Sequence, residues 1–387
     1  MRRSDDRILT THVGSLSRPD DLIELFSSNA PADQLNPRLK TAVNDVVKAQ
    51  VEAGIDVVND GEFGHPSRAA VDYGAFWSYV YSRLTGYELK PAEGVGPFAS
   101  VDRKNFREFY QSGEIPSGIM AQRGPVMQQV CTGPISYIGH DLMKRDIENL
   151  KAALAANGLS EGFMPAVSPG QMQIRGNEYY KTNEEYVQAL ADAMREEYKL
   201  IVDAGLIVQI DDPAVVQLYD WWYSETNDLE GYRAKAGFIV EALNYSLRGL
   251  PEEQIRYHIC WGSWHGPHST DIPLQDAVDI VLKVRAGALS VEAGNVRHEH
   301  EWKVWEGTKL PEGRILIPGV VSHATNVLEH PEVVADRIVH YAEQVGRENV
   351  IAGTDCGLGG RIHPQLAWAK LRSLSEGAAL ASKRLWS

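Results

Sequence analysis

The chain of 387 residues predicts a (β/α)8 TIM barrel with long loops over the C-terminal ends of its strands. Three observations carry this reading. Short apolar runs alternate with longer amphipathic stretches, the pattern of a parallel sheet with crossover helices. Polar residues cluster where the runs end, as in Asp60-Gly61-Glu62, Asp211-Asp212-Pro213, His258-Ile259-Cys260, Glu292 and Asp355-Cys356. Acidic groups closing apolar strands cost desolvation unless they share a polar mouth, and in this barrel that mouth carries the site. No linker or internal repeat divides the chain, so residues 1–387 are expected to form one domain.

The elements follow in order. The first run, residues 8–15, comes straight after the charged Arg2, Arg3, Asp5, Asp6 and Arg7, so no secretory signal is expected. The second, 55–62, leads into residues 63–128, rich in aromatics, glycine and proline and predicted as an excursion over the mouth. Its Phe76, Trp77, Tyr79, Tyr81 and Tyr87 are expected in the core or at a subunit contact. Run 130–137 is one more than eight strands need. The preceding 88–128 is not clearly helical, so a hairpin with this run is predicted. The remaining strands are expected at 162–168, 206–212, 256–262, 288–294, 315–322 and 350–357. Between them, 184–203, 274–285 and 331–346 carry apolar residues at helical spacing with charged opposite faces.

Composition narrows the partners. A net charge of −14 disfavours nucleic acid and anionic membranes. No apolar stretch approaches the roughly 18 residues of a membrane span. Three cysteines make no disulfide framework, and a cytoplasmic setting is expected.

Two of those cysteines sit at strand ends. His258 and Cys260, two apart, point to one face of a strand because side chains alternate. Cys356 closes a later strand and Glu292 the strand between, so three neighbouring ends could meet around one ion. Imidazole and thiolate together suit zinc. A lone cysteine is otherwise a small buried hydrophobe, which is the reading given to Cys131.

These motifs match a known group. Thr10-Thr11-His12-Val13-Gly14-Ser15, Asn59-Asp60-Gly61-Glu62, Gln209-Ile210-Asp211-Asp212-Pro213-Ala214, His258-Ile259-Cys260, Val291-Glu292 and Asp355-Cys356-Gly357-Leu358 occur in family order. The chain thereby resembles the C-terminal catalytic barrel of the cobalamin-independent methionine synthase superfamily. It is also similar to that superfamily's epoxyalkane:coenzyme M transferases. The resemblance implies Zn2+ held by His258, Cys260, Glu292 and Cys356. It implies a homocysteine carboxylate at the turn Val13, Gly14 and Ser15, and its ammonium at Glu62 and Asp211. Asp212 stands where the family has Glu.

The implied reaction is zinc-dependent alkyl or methyl transfer to a small-molecule thiol, activated as a thiolate, from an alkyl donor. The thiolate is the nucleophilic form, and metal binding favours it. His323, just past a strand end, is the candidate acid for the leaving group; it matches the family's acid histidine if one gap is allowed. Asp211 is counted with His323 as a catalytic candidate. Full-length methionine synthases of this type carry two barrels and this chain has the length of one, so a folate donor does not follow. Trp261 and Trp264 are expected either to wall the substrate pocket or to pack their loop. His265 and His268 are minor candidates for extra ligands beside an already complete set, and the stretch 297–302 is read as pocket lining or polar support, with metal binding the minor option. The other readings are a thiol transferase or lyase on a non-folate electrophile, a zinc-free decarboxylase on the same scaffold, and a non-catalytic zinc- and thiol-binding barrel. A homo-oligomer is possible.

Overall fold

The computed structural model describes residues 1–66, 74–91, 100–112, 127–174 and 176–387, with the side chains of Ala75, Trp77 and Met127 also outside the described set. Parts of the 63–128 excursion therefore lie outside the described residues.

Ten strands occur among them: β1 (Leu9–Thr10), β2 (Tyr87–Pro91), β3 (Met127–Cys131), β4 (Phe163–Val167), β5 (Gly176–Asn177), β6 (Ile207–Asp211), β7 (Ile255–His258), β8 (Ala288–Glu292), β9 (Ile315–Val321) and β10 (Ile351–Thr354). Seven form one curled parallel sheet in the order β1-β10-β9-β8-β7-β6-β4. Such strands are covered on both faces, which is why their sequences are continuous apolar runs. The surplus run 130–137 puts only Val130 and Cys131 into a strand, which begins earlier than expected, at Met127, and pairs away from this sheet. β3 lies antiparallel to β2, from Tyr87↔Cys131 to Pro91↔Met127, and β5 completes a small three-stranded sheet.

Two runs form less ladder than expected. Run 8–15 contributes only Leu9–Thr10, and run 55–62 only the isolated bridges Thr11↔Val57 and Val58↔Gly162. A side chain takes over the next rung. The Gln50 amide accepts from the Asn59 N–H at 3.0 Å and donates to the Asn59 carbonyl at 2.8 Å, pairing that backbone as a strand would. Beyond it the chain turns through Gly61 and Glu62, at φ 68° and 61°.

The helices follow their periodicity. Asn183–Asp203 starts on Thr182, whose hydroxyl accepts from the Glu185 N–H at 3.1 Å, while the Glu185 carboxylate accepts from the Lys181 N–H. Pro331–Val345 closes on Gly346 at φ 89°. Leu274–Val281 is shorter than predicted. No described helix is long and apolar enough to cross a membrane.

Inside the sheet, Leu9, Ala288, Ile315, Ile317 and Ile351 form a dry floor, with Val57, Phe163 and Ile207 beside it. Arg256, 2% exposed, lies over the Phe163 ring at 4.1 Å. It donates to Thr11 Oγ1 at 3.0 Å and to the His12 carbonyl. The polar residues at the strand ends stand above this cation.

Candidate active site and metal centre

Register brings the first residues together. Asp211 pairs with His258, His258 with Ser290, and Glu292 with Gly319. Cys260 and Cys356 each follow their strand by two residues. One ligand atom each from His258, Cys260 and Cys356 lies within 4.8 Å of the others, and all three residues are buried. The two sulfurs are 4.0 Å apart and both cysteines are free. His258 Nδ1 is within 3.1 Å of Ser290 Oγ, while its buried Nε2 has no hydrogen-bond partner among the described residues. Ser290 thus fixes the ring and leaves Nε2 for a ligand, the arrangement expected of a metal-binding histidine. The hydrogen-bond contact between the two sulfurs is the largest effect holding the Cys356 thiol well below its ordinary value, and the same contact pushes Cys260 up.

Glu292 adjoins this group but faces another. Its Oε1 accepts from the Trp261 N–H at 2.9 Å, and its Oε2 from Asn295 Nδ2 at 3.3 Å. It groups with His323 and Asp355, one ligand atom of each lying within 4.8 Å of the others. Burial, with Asp355 adding, pushes the Glu292 carboxyl up to about 8. Burial raises Asp355 to about 7, against two backbone N–H donors. His323 is driven down to about 3, chiefly by burial, so it is a neutral imidazole at neutral pH. The expected set of four is thus divided, three donors in one group and Glu292 beside it.

The residues assigned to the substrate meet on the other side. Gly14 takes φ 148°, and a Cβ there would lie 2.4 Å from Glu62 Oε1 and 2.8 Å from Pro165 Cγ. Only glycine lets the Glu62 carboxylate rest on this turn. The Val13 carbonyl accepts from Gln209 Nε2, which also donates to Asp211 Oδ1 at 2.7 Å. Asp211 is held well above the usual carboxylate range by burial and then by Glu62. Two acidic groups facing one space, one of them dry, favour a cation between them. Ser15 contributes backbone: its carbonyl accepts from the N–H groups of Leu358 and Gly359, tying this turn to the Cys356 loop. Asp212 turns the other way, accepting from Ser168 Oγ at 2.7 Å and the Tyr257 hydroxyl at 3.1 Å.

The two tryptophans differ. Trp261 is 1% exposed, stacks on His298 at 3.9 Å and donates to the Ile272 carbonyl, so its ring packs the loop. Trp264 is half-buried, stacks on His268 at 4.1 Å and donates to the Tyr110 hydroxyl of the excursion. His268 and His298 both bind Asp271, and His298 also binds Glu301. His265 Nε2 lies 3.1 Å from the His323 carbonyl. Each of these histidines thus has a carboxylate or carbonyl partner.

Sequence reasoning missed Ser290, Gln209 and the side chain of Asp355. Ser290 and Gln209 stand two residues before Glu292 and Asp211, on the same strand face, so strand periodicity could have found them.

Residues 156–379, more than half of the chain, match the family model described as cobalamin-independent synthase, catalytic domain. That stretch contains His258, Cys260, Glu292, His323 and Cys356, but not Glu62. A methionine synthase of Saccharolobus solfataricus is 26% identical, over 97% of this chain and 95% of its own length. A 2-hydroxypropyl-CoM lyase of Xanthobacter autotrophicus is 23% identical, over 100% and 98%. The solved structure of a B12-independent methionine synthase from Shewanella sp. W3-18-1, in complex with selenomethionine, has a TM-score of 0.71 at 21% identity. That likeness covers 98% of this chain and 99% of the other and shows a shared fold. With a family-model match across the strands that carry the thiol and imidazole donors, the chain belongs to the cobalamin-independent synthase family, through its catalytic domain.

Proposed function

We propose that the protein is a zinc-dependent alkyltransferase, methionine synthase-like, whose acceptor is a small thiol bearing an amino group, such as homocysteine. The observation that carries this is the buried His258, Cys260 and Cys356 cluster, with two free thiols and an imidazole nitrogen that has no hydrogen-bond partner among the described residues. Soft sulfur with imidazole fits zinc better than a hard cation. His258, Cys260 and Cys356 would hold the ion, with Glu292 as the fourth and exchangeable ligand. When bound, zinc lowers the pKa of a substrate thiol so that the nucleophilic thiolate is present at neutral pH.

The protein's own groups do the rest. Glu62 and Asp211 hold the ammonium, and the turn at Val13, Gly14 and Ser15 receives the carboxylate. This fixes where the sulfur sits. The sulfur forms its new bond to the donor's alkyl carbon as the bond from that carbon to the leaving group breaks. The proton released by the substrate thiol enters at one ring nitrogen of His323 as the N–H of the other donates to the leaving group, so the neutral imidazole ends as it began. The bridges at Thr11↔Val57 and Val58↔Gly162 link both sheet edges to residues 57–58, which supports reading the sheet as a closed eight-stranded barrel forming one catalytic domain. The alkyl donor is the second small-molecule partner.

A sulfonate-bearing thiol is the alternative that the similarity to 2-hydroxypropyl-CoM lyase raises. Such an anion needs cations where this chain has Glu62 and Asp211, and that difference favours the amino thiol. Calorimetry of the zinc-loaded protein with homocysteine and with 2-mercaptoethanesulfonate tests the choice. Binding of homocysteine, lost together with the zinc in Cys356→Ser, is expected. Binding of the sulfonate thiol alone would overturn the substrate assignment.

A further inference from the structure

Beside the thiol cluster stands a second set of donors that the proposed reaction does not fully use. Asp355 spends Oδ1 on the N–H groups of Ala293 and Gly294, both at 2.8 Å. Its buried Oδ2 has no partner among the described residues. His323 is 1% exposed, and neither of its ring nitrogens has a hydrogen-bond partner there. Glu292 brings a carboxylate held in place by the Trp261 N–H and Asn295. One ligand atom from each of the three lies within 4.8 Å of the other two, and no atom of this trio belongs to the His258, Cys260 and Cys356 group.

Buried polar atoms in folded proteins nearly always have partners. Here a carboxyl oxygen and an imidazole, both without partners among the described residues, converge with a second carboxyl group. Ligands at about 2.0–2.2 Å from one ion stand roughly 3–4 Å apart, so small side-chain rotations bring these three onto one centre. The chemistry of the set differs from its neighbour's: two carboxylates and an imidazole, without sulfur, suit oxygen- and nitrogen-preferring divalent cations.

We propose that Glu292, His323 and Asp355 form a second divalent-cation site, for Mn2+ or a second Zn2+, next to the thiol-rich one. Glu292 is common to this site and to the fourth-ligand role given above, and the inference rests on that reading only through this shared carboxylate. Occupancy takes His323 out of its proton-relay role, so excess divalent cation inhibits alkyl transfer.

Titration of the zinc-loaded protein with Mn2+, followed by electron paramagnetic resonance, tests this. The expected result is one Mn2+ per chain, with a nitrogen coupling from His323. His323→Ala removes the nitrogen coupling and weakens binding by at least about tenfold, as does Asp355→Asn. Since the His323 side chain has no hydrogen bond to lose among the described residues, His323→Ala should fold, and a circular-dichroism melt checks it. Cys356→Ser, which disables the thiol-rich site, keeps the Mn2+ site. No Mn2+ binding, or binding indifferent to both His323→Ala and Asp355→Asn, overturns the proposal. A protein without zinc that still binds Mn2+ through this trio would count against the alkyltransferase reading and not against this site.

Discussion

Replacing Glu62 by Gln removes one charge from the carboxylate pair and almost no volume. The Glu62 carboxylate rests against Gly14, and its Oε2 lies 3.7 Å from His65 Nδ1. Asp211, behind it, carries a carboxyl raised by burial and by the Glu62 charge itself. With an ammonium between them, losing one charged hydrogen bond removes about 1.5–3 kcal/mol of binding. That is roughly a 10- to 150-fold weaker homocysteine complex. The free protein moves the other way. A buried acid whose folded-state pKa is raised loses stability as pH climbs from its unfolded value toward its folded one. Taking away the Glu62 charge lessens that loss, so Glu62→Gln should melt at the same temperature as wild type or higher at pH 7.5. Calorimetric titration with homocysteine and 2-mercaptoethanesulfonate, paired with thermal melts, reads both effects. An unchanged homocysteine affinity in a folded Glu62→Gln protein would refute the ammonium assignment.

Four further outcomes are expected. Ser290→Ala frees the His258 ring and should weaken zinc about 10- to 100-fold in chelator competition while leaving the thiol count intact. Gly14→Ala places a methyl group 2.4 Å from Glu62 Oε1 at φ 148°, so thiol binding should fall as in Glu62→Gln, with a lowered melting temperature as well. Asp212, raised by burial to about 6, makes the wild type lose up to about 3 kcal/mol as pH rises from about 4 to about 6. Asp212→Asn lacks that titration, so its stability relative to wild type should climb over the same window in urea melts at stepped pH. Arg83 joins Asp146 at 2.8 Å and Glu197 at 3.2 Å, all fully buried; Arg83→Ala leaves two carboxylates without their cation and should cost about 3–5 kcal/mol in denaturant unfolding.

Much of the fold was legible because parallel strands are buried on both faces and read as apolar runs. The surplus run was also legible, since the sequence before it carries no clear helical period; the helices that do form there, Val101–Asn105 and Arg107–Gln111, are five residues each, too short to leave one. Run 55–62 was harder. Its rung at Asn59 is supplied by Gln50, and a side chain standing in for a strand leaves no periodic signal. In the site, His258 and Cys260 could be read from alternation on one strand. The facing of Glu292 toward His323 and Asp355 could not, because it depends on which carboxylate oxygen the Trp261 and Asn295 donors take. The buried Arg83 network joins residues 63 and 114 positions apart, a separation that no local pattern encodes.

The most direct measurement is X-ray absorption at the zinc edge on the purified protein, with metal content determined on the same sample. One zinc per chain is expected, with two sulfur neighbours at about 2.3 Å and nitrogen or oxygen at about 2.0–2.2 Å. A third sulfur should enter when homocysteine is added. Protein without zinc, or zinc with no sulfur neighbour, would contradict the central claim that His258, Cys260 and Cys356 are there to bring a thiol to a metal.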